Sequence, residues 1–133
     1  MPNIMFTYPY QAMLMVTICV VDDDISVRKS LSNLLKSAGY QAVSYSCGED
    51  FLASEFSILA ACVLLDIRMQ GMSGNAVLQV LKSSGREIPV ICMSAHWDEE
   101  LVAEILAIGA VGYLHKPFTG EALFQAVAKA LDV

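Results

Sequence analysis

The chain has 133 residues, 56% of them hydrophobic and 17% charged, with a formal net charge of -6. That length suits one domain with a substantial core and is short for two; with no Lys/Arg cluster to neutralise a row of phosphates, direct nucleic-acid binding by this piece is not expected. Arg28 is the first positive charge, so the N-terminus lacks the basic region of a secretory signal, and no run approaches the roughly 20 apolar residues of a membrane span, which makes a soluble, cytoplasmic protein the expectation.

Residues 1–16 carry Pro2, Pro9, Tyr8, Tyr10 and the methionines 5, 13 and 15 without helical or strand periodicity. They read as an extension outside the domain, with aromatic and methionine side chains suited to covering apolar surface; Met13 or Met15 is an alternative start. The domain proper is expected over residues 17–133. From Thr17 onward, short apolar or β-branched runs alternate with amphipathic segments of helical length, the pattern of a parallel sheet. The first run, Thr17 to Val21, leads to a helix from Ile25 to Ala38, with Val27, Leu31, Leu34 and Leu35 at helical spacing and Gly39 at its end. The second run, Gln41 to Ser46, is more polar and reads as an edge strand, followed by a short helix around Glu49 to Phe56. The third run, Ala61 to Leu65, precedes a helix capped by Ser73, with Ala76, Val77, Val80 and Leu81 on one face. The fourth, Ile88 to Met93, precedes a helix opened by Asp98, Glu99 and Glu100, where the helix dipole favours anions, and closed by Gly109. The fifth, Val111 to His115, precedes a helix after Thr119 with Leu123, Phe124, Val127 and Leu131 facing inward. Runs one, three and four are almost wholly apolar, as strands covered on both faces should be.

Five such pairs predict an α/β, doubly wound (βα)5 flavodoxin-like fold with strand order 2-1-3-4-5. Cys19, Cys47, Cys62 and Cys92 contain no C-x-x-C pair and read as small hydrophobes in a reducing compartment.

In this fold ligands sit beyond the carboxyl ends of the strands, next to the point where strand order reverses. The residues there are Asp22-Asp23-Asp24, Asp66, Ser94-Ala95 and Lys116-Pro117. Carboxylates crowded at 4 Å repel by about 1 kcal/mol per pair in water and about 4 kcal/mol at an effective dielectric of 20, so a cation is expected among them. Magnesium suits such oxygens. Asp66 then has a second possible role as a nucleophile toward phosphorus, with its charge screened by the metal on one side and by Lys116 on the other, while Ser94 can donate its hydroxyl to a phosphoryl oxygen. The blander reading of each residue is also physical. Asp24 reads as a helix cap, and Asp22 and Asp23 taken alone could be caps too. Ser94 alone is a turn residue, and Lys-Pro commonly follows a strand. His96 and His115 read as surface histidines. Arg68 and Gln70 read as loop residues, although the Arg68 backbone carbonyl lies close enough to Asp66 to reach the same ion.

Val20-Val21-Asp22-Asp23-Asp24, then Leu65-Asp66-Ile67-Arg68-Met69 leading to Met72-Ser73-Gly74, then Met93-Ser94-Ala95, and Gly112-Tyr113-Leu114-His115-Lys116-Pro117-Phe118 together resemble the receiver domain of bacterial two-component response regulators, over about Val16 to Val133. Val27-Arg28-Lys29-Ser30-Leu31 and Ala95-His96-Trp97-Asp98 further resemble nitrogen-fixation and nodulation-type regulators, which usually carry a LuxR-type output domain after the receiver. The resemblance implies that Asp66 is the phosphoacceptor and that Asp22, Asp23, Asp66 and the Arg68 carbonyl hold Mg2+, with Asp23 more direct than Asp22. It implies that Ser94 is the switch hydroxyl, Tyr113 the switch aromatic and Lys116 the phosphate-pairing lysine, with a cis bond to Pro117. Its implied partners are a sensor histidine kinase and a second copy through the fourth helix, fifth strand and fifth helix, near Leu101, Ile105 and Tyr113. Without a Lys/Arg cluster in this piece, DNA would be reached only through an output domain; the last helix ends near Leu131, where a linker would begin, so the front piece of a longer regulator is expected rather than a stand-alone receiver. Such a domain is a signalling module that catalyses its own phosphorylation and dephosphorylation, not an enzyme acting on a separate substrate. One departure is Gln70, where the family usually has proline; the loop loses a rigid φ and gains a backbone donor. The N-terminal extension is a second.

Three alternatives remain. Asp22-Asp23-Asp24 spells the D-x-D of haloacid-dehalogenase-type phosphohydrolases, but Ser94-Ala95-His96 stands where such enzymes have a later acidic pair. A flavin-binding module would need a phosphate cradle where this chain has three aspartates. An inert receiver used as a docking scaffold would not need Asp22, Asp23, Asp66, Ser94 and Lys116 together.

Overall fold

In the computed structural model, residues 16–132 are described; the expected N-terminal extension lies outside them, apart from Val16. Five parallel strands, β1 (Thr17–Val21), β2 (Gln41–Tyr45), β3 (Cys62–Asp66), β4 (Val90–Ser94) and β5 (Gly112–His115), form one sheet of order β2-β1-β3-β4-β5. The helices are α1 (Ile25–Ser37), α2 (Gly48–Ala53), α3 (Phe56–Leu59), α4 (Gly74–Ser83), α5 (Glu99–Ile108) and α6 (Gly120–Leu131). The doubly wound architecture expected from the sequence is therefore present, with β2 at an edge.

Residues of β1, β3 and β4 are buried throughout, and their alternating side chains serve two separate cores. Cys19, Val21, Val63, Leu65 and Cys92 meet Phe51, Val77, Leu78, Leu81 and Ile105 on one face. Ile18, Val20, Cys62, Leu64, Ile91 and Met93 meet Leu31 and Leu35 of α1 and Leu123 and Val127 of α6 on the other. Burial pushes the thiols of Cys19, Cys62 and Cys92 up to about 12, so they act as packing groups.

The helix starts follow their predicted chemistry. Asp24 accepts from the Ser26 N–H, Ser73 from Ala76, Asp98 from Leu101 and Thr119 from Ala122. Gly109 closes α5 at φ 133, a conformation L side chains disfavour. Two expectations need correction. The single short helix expected over Glu49–Phe56 is two, α2 and α3, separated at Ser54 in an extended conformation; neither start has a side-chain cap. The expected fourth and fifth helices are thus α5 and α6. Ile105, expected near a docking face, is fully buried in the core; it lies one turn from half-buried Leu101, on the inner side of α5. The exposed apolar residues on that side of the molecule are Leu106, Val111 and Tyr113. Among the described residues, no helix is long and apolar enough to cross a membrane.

Candidate functional site

Strand register assembles the site. Val21 pairs with Leu65, so Asp22, one residue beyond β1, falls beside Asp66, the last residue of β3. Ser94, the last residue of β4, pairs with His115, and the Lys116 N–H donates to the Ser94 carbonyl at 2.8 Å. The Lys116–Pro117 bond is cis, as the resemblance implied.

The buried carboxylate of Asp22 is held from two sides. Its Oδ1 accepts the Asp24 N–H at 2.9 Å and its Oδ2 accepts Lys116 Nζ at 2.6 Å. Lys116 Nζ also lies 3.4 Å from Asp66 Oδ1. Oxygens of Asp22, Asp23 and Asp66 all lie within 4.8 Å of one another, with Asp22 and Asp66 buried and Asp23 exposed. Burial and then the neighbouring Asp22 charge raise the Asp66 carboxyl from 3.8 to about 6, although Lys116 and the Arg68 N–H pull the other way. Burial opposes the charge on Lys116, but the two carboxylates outweigh it and hold the ammonium above its ordinary range. The pocket therefore gathers more negative charge than its lysine balances. Three hard carboxylate oxygens converging on one space fit a small divalent cation.

The remaining predicted residues lie around this centre. Ser94 is buried; its hydroxyl donates to the His96 carbonyl at 3.3 Å and accepts the His96 N–H at 3.1 Å. Tyr113 faces outward, 46% exposed, with its ring 4.9 Å from that of Trp97. Arg68, His96 and His115 are exposed. Asp24 serves as the α1 cap through the Ser26 N–H at 2.8 Å, which leaves the D-x-D reading without its second acid.

Three contributors were not found from sequence. Arg28 Nη1 donates to the Asp22 carbonyl at 2.8 Å, the Gln70 N–H donates to Asp23 Oδ2 at 3.2 Å, and Trp97 Nε1 donates to the Leu114 carbonyl at 2.9 Å. Each bond has a main-chain group at one end. Only the absent proline at position 70 signalled any of them.

A parallel sheet of this order, with carboxylates at the ends of β1 and β3, a serine at the end of β4 and a lysine just beyond β5, defines a receiver-type α/β domain. A family model described as the response regulator receiver domain matches residues 18–128, and the chain belongs to that family. The transcriptional regulatory protein TdiR of Thauera aromatica is 39% identical over 115 residues, covering 86% of this chain and 51% of TdiR. The transcriptional regulatory protein FixJ of Azorhizobium caulinodans is 37% identical over 112 residues, 84% of this chain and 53% of FixJ. Nodulation protein W of Bradyrhizobium diazoefficiens is 35% identical over 113 residues, 85% of this chain and 50% of that protein. These agree with the expected likeness to nitrogen-fixation and nodulation regulators, and the chain spans about half the length of the curated relatives it matches. Among solved structures, the chemotaxis protein CheY4 of Vibrio cholerae superposes with a TM-score of 0.83 at 28% identity, covering 88% of this chain and 99% of CheY4.

Proposed function

We propose that this receiver domain accepts a phosphoryl group on Asp66 from the phosphohistidine of a sensor kinase, and that the modified domain switches a transcriptional output. The observation that carries this reading is the convergence of Asp22, Asp23 and Asp66 oxygens within 4.8 Å, with Lys116 Nζ 3.4 Å from Asp66. The acceptor is Asp66 because it terminates the central strand β3 while Asp22 is committed to Lys116 and Asp24.

A carboxylate oxygen of Asp66 attacks phosphorus, the O–P bond forms, and the N–P bond to histidine breaks with its electron pair leaving on the ring nitrogen. Water later attacks phosphorus, releasing inorganic phosphate and restoring the carboxylate. Asp22, Asp23, Asp66 and the Arg68 backbone carbonyl are the candidate ligands for Mg2+, which when bound would neutralise charge developing on the phosphoryl oxygens. Lys116 supplies positive charge from within the chain and pairs with a phosphoryl oxygen.

Ser94 is the conformational link. Its hydroxyl exchanges His96 for a phosphoryl oxygen, and Tyr113 leaves its outward position beside Trp97 for the space vacated. Moving a two-state equilibrium from 1:99 to 99:1 takes about 5.5 kcal/mol; two or three charge-assisted bonds at about 1.5–3 kcal/mol each are of that order. The surface changed is that of α5, β5 and α6, where exposed Leu106, Val111 and Tyr113 offer a second copy an apolar face; Ile105 is not part of it. That TdiR and FixJ are transcriptional regulatory proteins supports transcription as the output, with DNA contacted by a separate domain.

The test is incubation with labelled acetyl phosphate and Mg2+. The wild-type chain is expected to take up one phosphoryl group and the Asp66→Asn variant none. Uptake by neither would favour a docking scaffold, and equal uptake by both would remove Asp66 as the acceptor.

A further inference from the structure

The loop between β3 and α4 has Gln70 where receiver sequences usually have proline, a residue with no backbone N–H. The N–H at this position donates to Asp23 Oδ2 at 3.2 Å, across 47 residues of sequence. The loop aims that N–H from both sides. Met69 and Met72 pack against the core, and Gly71 turns the backbone through φ 76, which a side-chain-bearing residue resists.

Asp23 is the carboxylate that most needs such a tether. Asp22 is buried and held by Lys116 and the Asp24 N–H, and Asp66 is buried at the end of its strand. Asp23 is exposed and lies one residue further beyond β1. Two like charges within 4.8 Å push its side chain toward solvent. A carboxylate that accepts one N–H retains lone pairs for a cation.

We infer that the Gln70 backbone N–H is a positioning donor that holds the Asp23 carboxylate over the pocket before a cation arrives, so that replacing this N–H weakens Mg2+ binding. The inference rests on the reading that the acidic pocket binds Mg2+. Donors that orient a ligating carboxylate typically account for roughly 10–100-fold in metal affinity, and the long, exposed bond seen here belongs at the lower end.

The experiment is calorimetric titration of the full chain with MgCl2, comparing wild type, Gln70→Ala, Gln70→Pro, and a chain whose amide at position 70 is replaced by an ester. The ester removes the N–H without adding a ring, so it separates the donor from proline's effect on loop shape; melts in EDTA verify that each protein folds. Gln70→Ala is expected to bind Mg2+ like wild type, while the proline and ester forms bind roughly tenfold more weakly. An ester form with wild-type affinity overturns the inference but leaves the metal site standing, as does an alanine variant weakened as much as the ester. Failure of the wild-type chain to bind Mg2+ overturns the metal reading and this inference with it.

Discussion

Asp66→Asn should stabilise the metal-free protein at neutral pH even as it removes the proposed acceptor. The carboxyl is raised from 3.8 to about 6, chiefly by burial and by the Asp22 charge. Each pKa unit corresponds to about 1.36 kcal/mol, so holding Asp66 ionised in the folded state costs at most about 3 kcal/mol, and screening on the open side of the pocket reduces this to about 1–2 kcal/mol. The asparagine amide keeps the shape and removes the charge. Because the folded pKa exceeds the unfolded one, the stability contributed by protonated Asp66 is complete below about pH 4 and lost as pH rises through about 6. In EDTA at pH 7.5 the variant should therefore melt about 4–8 °C above wild type. The gap should narrow as pH falls from about 6 to about 4, and added Mg2+ should narrow it at neutral pH by stabilising wild type through mass action. Thermal and urea melts over this pH range, with EDTA or Mg2+, provide the measurement. A variant less stable than wild type in EDTA, or a gap that does not change with pH, would refute the electrostatic reasoning.

Other perturbations separate the parts of the site. Lys116→Met leaves buried Asp22 without its 2.6 Å partner and should cost about 3 kcal/mol in EDTA, partly recovered by Mg2+; an unchanged urea midpoint would show that the pair contributes nothing net. In Gly74→Ala, the new Cβ would lie 2.4 Å from the Asp66 carbonyl oxygen and 2.8 Å from Ile67 Cα. Backbone must move, at about 1–3 kcal/mol, and phosphoryl uptake at Asp66 should slow in a stopped-time assay; wild-type stability and rate would contradict this. Ser94→Ala loses a hydroxyl bonded to His96 and should cost no more than about 1.5 kcal/mol, while largely abolishing the change in Trp97 fluorescence on adding beryllofluoride. A full fluorescence response in that variant would break the proposed link between Ser94 and Tyr113.

Much of the fold is legible in the chain because three central strands are buried on both faces, which forces apolar runs such as Cys62–Leu65 and Val90–Met93 that end abruptly in Asp66 and Ser94. Strand order places those ends together, so the pocket follows from topology and residue type. The α2–α3 segment was harder to read: its two pieces are short, their starts lack side-chain caps, and Ser54 breaks the backbone in a stretch whose apolar residues still suggest one helix. Ile105 lies in the core rather than on a docking face: it shares a helix face with Leu101, and periodicity identifies a face without saying whether it meets the core or a partner. The bonds from Arg28 and Trp97 end on main-chain carbonyls, which no residue pattern reveals. At Gln70 the signal was a missing proline; the sequence showed that a donor was gained, and the fold showed that it reaches Asp23.

The most direct measurement is chemical trapping of the phosphorylated protein with borohydride, which converts an aspartyl phosphate to homoserine, followed by peptide mapping. Homoserine at position 66, formed with Mg2+ and absent in EDTA, is the predicted result. Trapping at a different residue, or equal trapping with and without the cation, would contradict a metal-dependent phosphoryl transfer to the aspartate that ends β3.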